Sequence, residues 1–319
     1  MPPILIIRIL EACNAGCFMC GFAHSVDEHR FRPLDAQQLV DGWTSPPKLV
    51  RLTGGEPLLH TELDQLLTIV HRAGPATSVI TNGWHLSEDA ERLANVGLNQ
   101  VIVSLDAPTA ARHDLYRKTP GLFDRAVRGL AEFRRLGKTR VNTVAGPHNY
   151  RTLSAMYDLL SELEVDQWSI IPIKWPDRRL SYRDQDTVLE DYCSFQQHVA
   201  GADGPTLVGY SAQWMGRDAD EVRSYLTGGR PFTPNSACGV VRLVRYMDTR
   251  ERRVYPCNCV PHRVGSAEYG WGLGDAADRE SHVMRWLEAN GPQTCEGCEP
   301  SNAYLGEGRA DLDADPYGF

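Results

Sequence analysis

The run EACNAGCFMCGF places Cys13, Cys17 and Cys20 four and then three residues apart, with the aromatic Phe18 directly after the second. Three thiols on so short a segment must be presented by a single loop. The rest of the chain then has to hold that loop where a ligand can reach it. Thiolates hold iron–sulfur clusters. Three of them leave one iron of a four-iron cluster without a protein ligand, and an open corner is where chemistry can happen. A structural zinc site, by contrast, closes with four ligands.

The remainder of the first half alternates two patterns. Residues 4–10, 49–52, 77–80, 100–105, 140–144 and 168–173 are short runs rich in Val, Ile and Leu, the length of buried parallel strands. Between them Leu63, Leu66, Leu67 and Val70 recur at helical spacing, as do Leu153, Met156, Leu159, Leu160 and Leu163. Six β–α units predict an α/β fold, an incomplete parallel barrel with right-handed crossovers. Cys13, Gly54, Asn82, Ser104 and Asn142 fall at or just after predicted strand ends, the face on which parallel barrels place chemistry.

Composition narrows the setting. No apolar run is long enough to span a bilayer, and the start, MPPILIIRIL, lacks the basic region and cleavage site of a signal peptide. A cytoplasmic chain without a membrane partner is expected. Nine cysteines in a reducing compartment read as ligands, catalytic thiols or buried apolar groups rather than disulfides. A net charge of −8 argues against nucleic acid as the main partner and is compatible with a cationic small molecule.

The C-x3-C-x2-C spacing with its aromatic residue resembles the signature loop of the radical S-adenosylmethionine (SAM) enzymes. Two more segments fit in family order. VRLTGGEP, residues 50–57, looks like the family's strand-plus-GGEP element, and VIVSLD, residues 101–106, looks like the strand that meets the SAM ribose, with Thr81-Asn82-Gly83 closing the strand between them. The resemblance covers about the first half and implies a partial (β/α)6 barrel. It also implies a 4Fe–4S cluster on Cys13, Cys17 and Cys20, with SAM bound at the open iron. Phe18, Gly54, Gly55 and Glu56 would then belong to the cofactor site, Glu56 meeting the methionine amino group. Ser104 and Asp106 would meet the ribose, and Asn142 and Arg117 the SAM carboxylate. Asp106 reads equally well as a cap on the turn before Pro108, and Arg117 as a solvent-facing helix residue. His24 and His113 have no ligand spacing and read as ordinary polar residues.

Beyond the polar turn at 174–179 the pattern changes. A helix is expected at 184–200, with Cys193 as a buried structural thiol, and another at 217–227. Residues 1–176 then form the barrel, 177–231 a helical connector and 232–319 a second cysteine domain, whose tail after Glu307 is acidic. In that domain two β-type arms flank the turn Asp248-Thr249-Arg250-Glu251, folding Cys238 back toward Cys257, and Cys295 and Cys298 form a C-x2-C knuckle. Spacing alone also permits zinc. The arrangement resembles the twitch domain, the shortened relative of the SPASM domain. Cys238, Cys257, Cys295 and Cys298 would there hold an auxiliary 4Fe–4S cluster, the second of two in the chain.

Cys259 is left over. It is an alternative ligand for Cys257, a bystander, or a hydrogen-atom donor to a substrate radical. The Cys-Asn-Cys arrangement resembles the radical SAM epimerases of aminoglycoside biosynthesis, of the neomycin C to neomycin B type, in which a free C-terminal-region cysteine quenches the radical. That resemblance implies inversion of a carbon in a sugar or aminoglycoside, with Cys259 as donor and a flavodoxin or ferredoxin as electron source. The alternative is a dehydrogenase oxidising an aminocyclitol alcohol, with the auxiliary cluster accepting the second electron. An iron–sulfur carrier without turnover would not need GGEP or a ribose-contacting strand.

Overall fold

The structure is a computed structural model that describes residues 4–146, 148–172, 185–208, 244–256, 270–272, 281, 282 and 285. Six parallel strands form its centre: β1 (Ile4–Leu10), β2 (Leu49–Gly54), β3 (Ala76–Thr81), β4 (Gln100–Ser104), β5 (Lys138–Ala145) and β6 (Gln167–Pro172), each paired with the next. They lie within two residues of the runs read from sequence, because each run is a stretch of buried residues bounded by turn-forming ones. Helices α1 (Pro33–Asp41), α2 (Leu63–Arg72), α3 (Leu86–Asn95), α4 (Ala110–Arg117), α5 (Leu122–Phe133), α6 (Leu153–Glu162) and α7 (Gln185–Val199) follow in chain order. Among the described residues no helix is long and apolar enough to cross a membrane.

Period-two alternation separates the two faces of the sheet. Leu5, Ile7 and Ile9 of β1, Val50 and Leu52 of β2 and Val101 and Val103 of β4 join one apolar core with Leu63, Leu66, Leu67 and Val70 of α2. Burying a Leu or Val of this kind contributes roughly 1.5–3 kcal/mol. The other face is polar and also buried. Arg51 donates to Ser78 Oγ and Gln100 Oε1, and Gln100 donates to Gln167 Oε1, carrying a hydrogen-bonded layer across β2, β3, β4 and β6.

The sheet does not stop at six strands. β7 (Thr206–Leu207) pairs parallel with β6, and β8 (Val244–Asp248) pairs parallel with β1. β9 (Arg253–Tyr255) returns antiparallel to β8, followed by β10 (Trp271–Gly272), so the order is β10-β9-β8-β1-β2-β3-β4-β5-β6-β7. An open barrel leaves β1 and β6 with unpaired edges, and these additions cover them. The hairpin expected around Asp248 is therefore present, with Arg250 and Glu251 amides donating to Asp248 Oδ1, but it extends the barrel sheet. Cys193 on α7 is half-buried rather than fully enclosed; Phe195, edge-on to Trp168, supplies the packing there. The expected helix at 217–227 and both expected domain junctions lie outside the described residues.

Candidate cofactor site

The cysteine loop leaves β1 at Leu10 and runs at once against the end of β2. Gly55 N donates to Leu10 O at 2.9 Å and Glu56 N donates to Ala12 O at 2.8 Å. A Cβ at Gly54 would lie well under 3.0 Å from the Leu10 carbonyl, and one at Gly55 equally close to those of Glu11 and Ala12. The glycine pair is thus what allows the two backbones to touch. Further along, Cys13 N donates to Ser25 O (2.9 Å), His24 N to Ala15 O (2.9 Å), Gly16 N to Arg117 O (3.0 Å) and Phe18 N to Tyr116 O (3.3 Å). The loop is closed on itself and seated on α4.

Each of the three sulfurs has its own N–H donor. Ala15 N lies 3.5 Å from Cys13 Sγ, Arg117 Nη1 3.6 Å from Cys17 Sγ and Phe22 N 3.4 Å from Cys20 Sγ, distances suited to the larger sulfur atom. Donors to cluster-bound sulfur are among the features that set iron–sulfur chemistry. Among the described residues no three His, Cys, Asp or Glu side chains are arranged to hold a single metal ion. Three thiols on one loop, each separately supported, suit a cluster that takes one iron per thiolate. Burial pushes the Cys13 thiol up to about 11 against the Ala15 amide; burial also raises Cys17, partly offset by Arg117. Loading the loop therefore releases protons.

Glu56 is fully buried. Its Oε1 accepts from Leu58 N (3.0 Å) and Thr81 Oγ1 (2.7 Å), and its Oε2 accepts from Asn82 N (2.7 Å). Burial pushes its pKa up, against these three donors. The side chain expected at the methionine amine thus clips the ends of β2 and β3 together. Asn82 continues the chain of contacts, its Nδ2 donating to Asn14 Oδ1 inside the cysteine loop at 2.7 Å.

Asp106 and Arg117 also take places the sequence reading did not assign. Arg117 Nε donates to Asp106 Oδ2 at 2.6 Å in a buried ion pair, and Asp106 Oδ1 accepts from Val144 N at 2.9 Å. Asp106 is neither a turn cap nor open to the mouth, being 1% exposed. Burial opposes the Arg117 charge most strongly, but Asp106 and Cys17 together outweigh it and leave the guanidinium above its ordinary pKa. Asn149 Nδ2 donates to Asp106 O (2.7 Å) and Val144 O (2.9 Å), completing a buried polar knot that sequence reasoning missed.

His113, read as an ordinary polar residue, belongs to this knot. Its Nδ1 accepts from Asp106 N at 3.1 Å and its ring lies edge-on to Phe123. Burial, helped by the Arg117 charge, depresses its pKa to about 4. The unfolded chain then binds the extra proton between the ordinary 6.5 and about 4, so the stability from neutral His113 is complete above pH 6.5 and lost as pH falls through 4. Urea unfolding should show up to about 3 kcal/mol lost across that window from this residue. His113→Asn, which keeps an acceptor but cannot titrate, should flatten that slope.

Ser104, the last residue of β4, pairs in register with Asn142, so the two are neighbours across adjacent strands. Asn142 lies within β5 rather than at its end, and its Oδ1 accepts from Arg140 Nε at 3.1 Å. Phe18 stands edge-on to Tyr116 and His148, with ring centroids 6.2 and 5.1 Å away. On the other side of the loop, the β8–β9 turn straps both flanks. Arg250 pairs with Glu11 at 2.7 Å and with Asp27, Arg8 pairs with Asp248, and Thr249 Oγ1 donates to Arg8 O at 2.6 Å. Cys238, Cys257, Cys259, Cys295 and Cys298 lie outside the described residues.

Residues 7–160, which include most of the barrel, match the Radical SAM superfamily. The AdoMet-dependent heme synthase of Nitratidesulfovibrio vulgaris is 24% identical over 190 residues, 58% of this chain and 52% of that protein. The probable GTP 3′,8-cyclase of Sulfolobus acidocaldarius is 27% identical over 176 residues, 53% of this chain and 55% of its own length. The chain spans about half the length of the curated relatives it matches. Among solved structures, Streptococcus suis SuiB bound to S-adenosylmethionine superposes with a TM-score of 0.66 at 14% identity, covering 96% of this chain and 72% of that one. Native anSMEcpe with bound AdoMet and Kp18Cys peptide gives 0.66 at 15%, over 94% and 88%. At such identities the likeness is one of fold.

Proposed function

We propose that this radical SAM domain generates a carbon radical on a sugar or aminoglycoside, and that the chain is an epimerase which returns hydrogen to the opposite face from the thiol of Cys259. The observation that carries the first part is the convergence on one mouth of three cysteines, each sulfur with its own N–H donor, against the backbone of Gly54, Gly55 and Glu56. Cys13, Cys17 and Cys20 would hold a four-iron cluster, and such a cluster would supply the one-electron chemistry that cleaves SAM reductively to a 5′-deoxyadenosyl radical. The chain's own work is to hold the loop rigid and to keep Cys17 and its neighbours Ala15 and Gly16 from water. Ser104 would meet the SAM ribose and Asn142 the carboxylate of its methionine part.

The second part rests on sequence. Cys259 remains once Cys238, Cys257, Cys295 and Cys298 are assigned to an auxiliary cluster, as in the twitch domains they resemble. In this reading the substrate would give up one hydrogen atom to the SAM-derived radical. The Cys259 S–H bond then breaks as a new C–H bond forms on the other face. The resulting thiyl radical takes one electron and one proton to become a thiol again, the electron from a flavodoxin- or ferredoxin-type donor. By their names, the curated relatives make heme and cyclise GTP. They support a common first step and leave the outcome to be tested.

The test is to incubate the reduced, reconstituted protein with SAM and a panel of aminoglycosides in D2O. One deuterium should appear at the inverted carbon, because a thiol exchanges with solvent. Cys259→Ala should still cleave SAM while forming no epimer. A ketone product would favour the dehydrogenase instead, and epimer formed at the normal rate by Cys259→Ala would sink the donor role.

A further inference from the structure

The chemistry proposed above leaves a buried cation without a task. Arg117 is 8% exposed and lies between a carboxylate and a sulfur, with Nε 2.6 Å from Asp106 Oδ2 and Nη1 3.6 Å from Cys17 Sγ. It is held from several directions. Its carbonyl accepts from Gly16 N (3.0 Å) and from Thr119 Oγ1 (2.8 Å). Asp106 is fixed in turn by Val144 N, by its own amide on His113 Nδ1 and by Asn149 Nδ2 on its carbonyl. The guanidinium cannot swing away without breaking a knot that joins β4, α4 and β5.

We propose that Arg117 is a positioning residue that sets the reduction potential of the cluster carried by Cys13, Cys17 and Cys20, by fixing a positive charge and an N–H donor on the Cys17 sulfur. The inference rests on the assignment of those three cysteines to a cluster. One-electron reduction makes the cluster and its thiolates more negative. A cation and a donor at a ligand sulfur stabilise the reduced form more than the oxidised one, so they raise the potential. Water, which would screen the charge, is largely excluded: Cys17 is 6% exposed and Asp106 1%. The fork of an arginine allows one nitrogen to hold the carboxylate while another reaches the sulfur. A lysine has a single nitrogen and cannot do both with the same geometry. Asp106 thereby acts through Arg117, as the group that aims it.

The experiment compares wild type with Arg117→Gln, Arg117→Lys and the double variant Arg117→Gln/Asp106→Asn. The double variant removes both charges together, so no buried carboxylate is stranded. Each protein is reconstituted anaerobically, matched for iron and sulfide, and titrated with dithionite as the one-electron reductant. The reading is taken on the electron paramagnetic resonance signal that changes when SAM is added. Arg117→Gln and the double variant should show at least a tenfold fall in the reduction equilibrium, a shift of about 59 mV to more negative potential. Arg117→Lys should shift less. An unchanged potential in a fully loaded double variant overturns the proposal, and so does loss of iron from all three variants, which would make Arg117 purely structural. A wild-type protein with no SAM-responsive four-iron signal would instead overturn the cluster assignment, and this inference with it.

Discussion

Replacing Gly55 with alanine should unseat the cysteine loop. The added Cβ would press on the carbonyls of Glu11 and Ala12, and backbone on both sides leaves nothing flexible to give way. Overpacking of this kind costs about 1–3 kcal/mol. The strain falls where Gly55 N and Glu56 N donate to Leu10 O and Ala12 O, and each buried bond lost adds about 1–3 kcal/mol. A total loss of about 3–5 kcal/mol is expected, with a several-fold fall in iron retained after reconstitution. Gly21→Ala is the matched control, since a Cβ there meets nothing within 4 Å. It should keep both stability and iron. Equal behaviour of the two variants would show that the close approach does not matter.

Asp106→Ala is expected to be the second severe change. It strands the Arg117 guanidinium in a buried site and removes the acceptor of Val144 N. Breaking one side of a buried ion pair costs about 3–5 kcal/mol, because the remaining charge has neither partner nor water. Asp106→Asn keeps an acceptor for one of the two donors, Arg117 Nε or Val144 N, and should cost less than the alanine. Urea midpoints at pH 7 give the comparison, and a midpoint near wild type for Asp106→Ala would mean that the pair contributes little to folding.

Both changes concern residues that sequence reading picked out, but for other reasons. Gly54, Gly55, Glu56, Asp106 and Arg117 were selected as cofactor contacts; the structure shows them first as the fixings of the loop. The strands were legible because each is a short apolar run between turn residues, whereas the buried polar face formed by Arg51, Ser78 and Gln100 was not. The partners were not legible. Glu56 meets Asn82 from 26 positions away and Arg117 meets Cys17 from 100, and no periodicity links such pairs. His113 carried a faint signal, a histidine seven residues after the motif aspartate, but without ligand spacing it pointed nowhere. The hairpin at Asp248 was readable from its polar turn and β-type arms. Its parallel docking on β1 was not, since an edge strand carries no mark of a partner so far along the chain.

That docking has a consequence for biosynthesis. Glu11 on the loop's near flank is bridged by Arg250, 239 positions later in the chain. At roughly 5–20 residues per second, the ribosome takes on the order of ten to fifty seconds to cover that interval. Throughout it the first-made cysteines emerge with β1 lacking its outer neighbour and with Glu11 and Asp27 lacking their shared cation. The earliest part of the site to be synthesised is therefore among the last to be finished. The cluster proposed for these cysteines would meet a fully strapped loop only after translation of the hairpin.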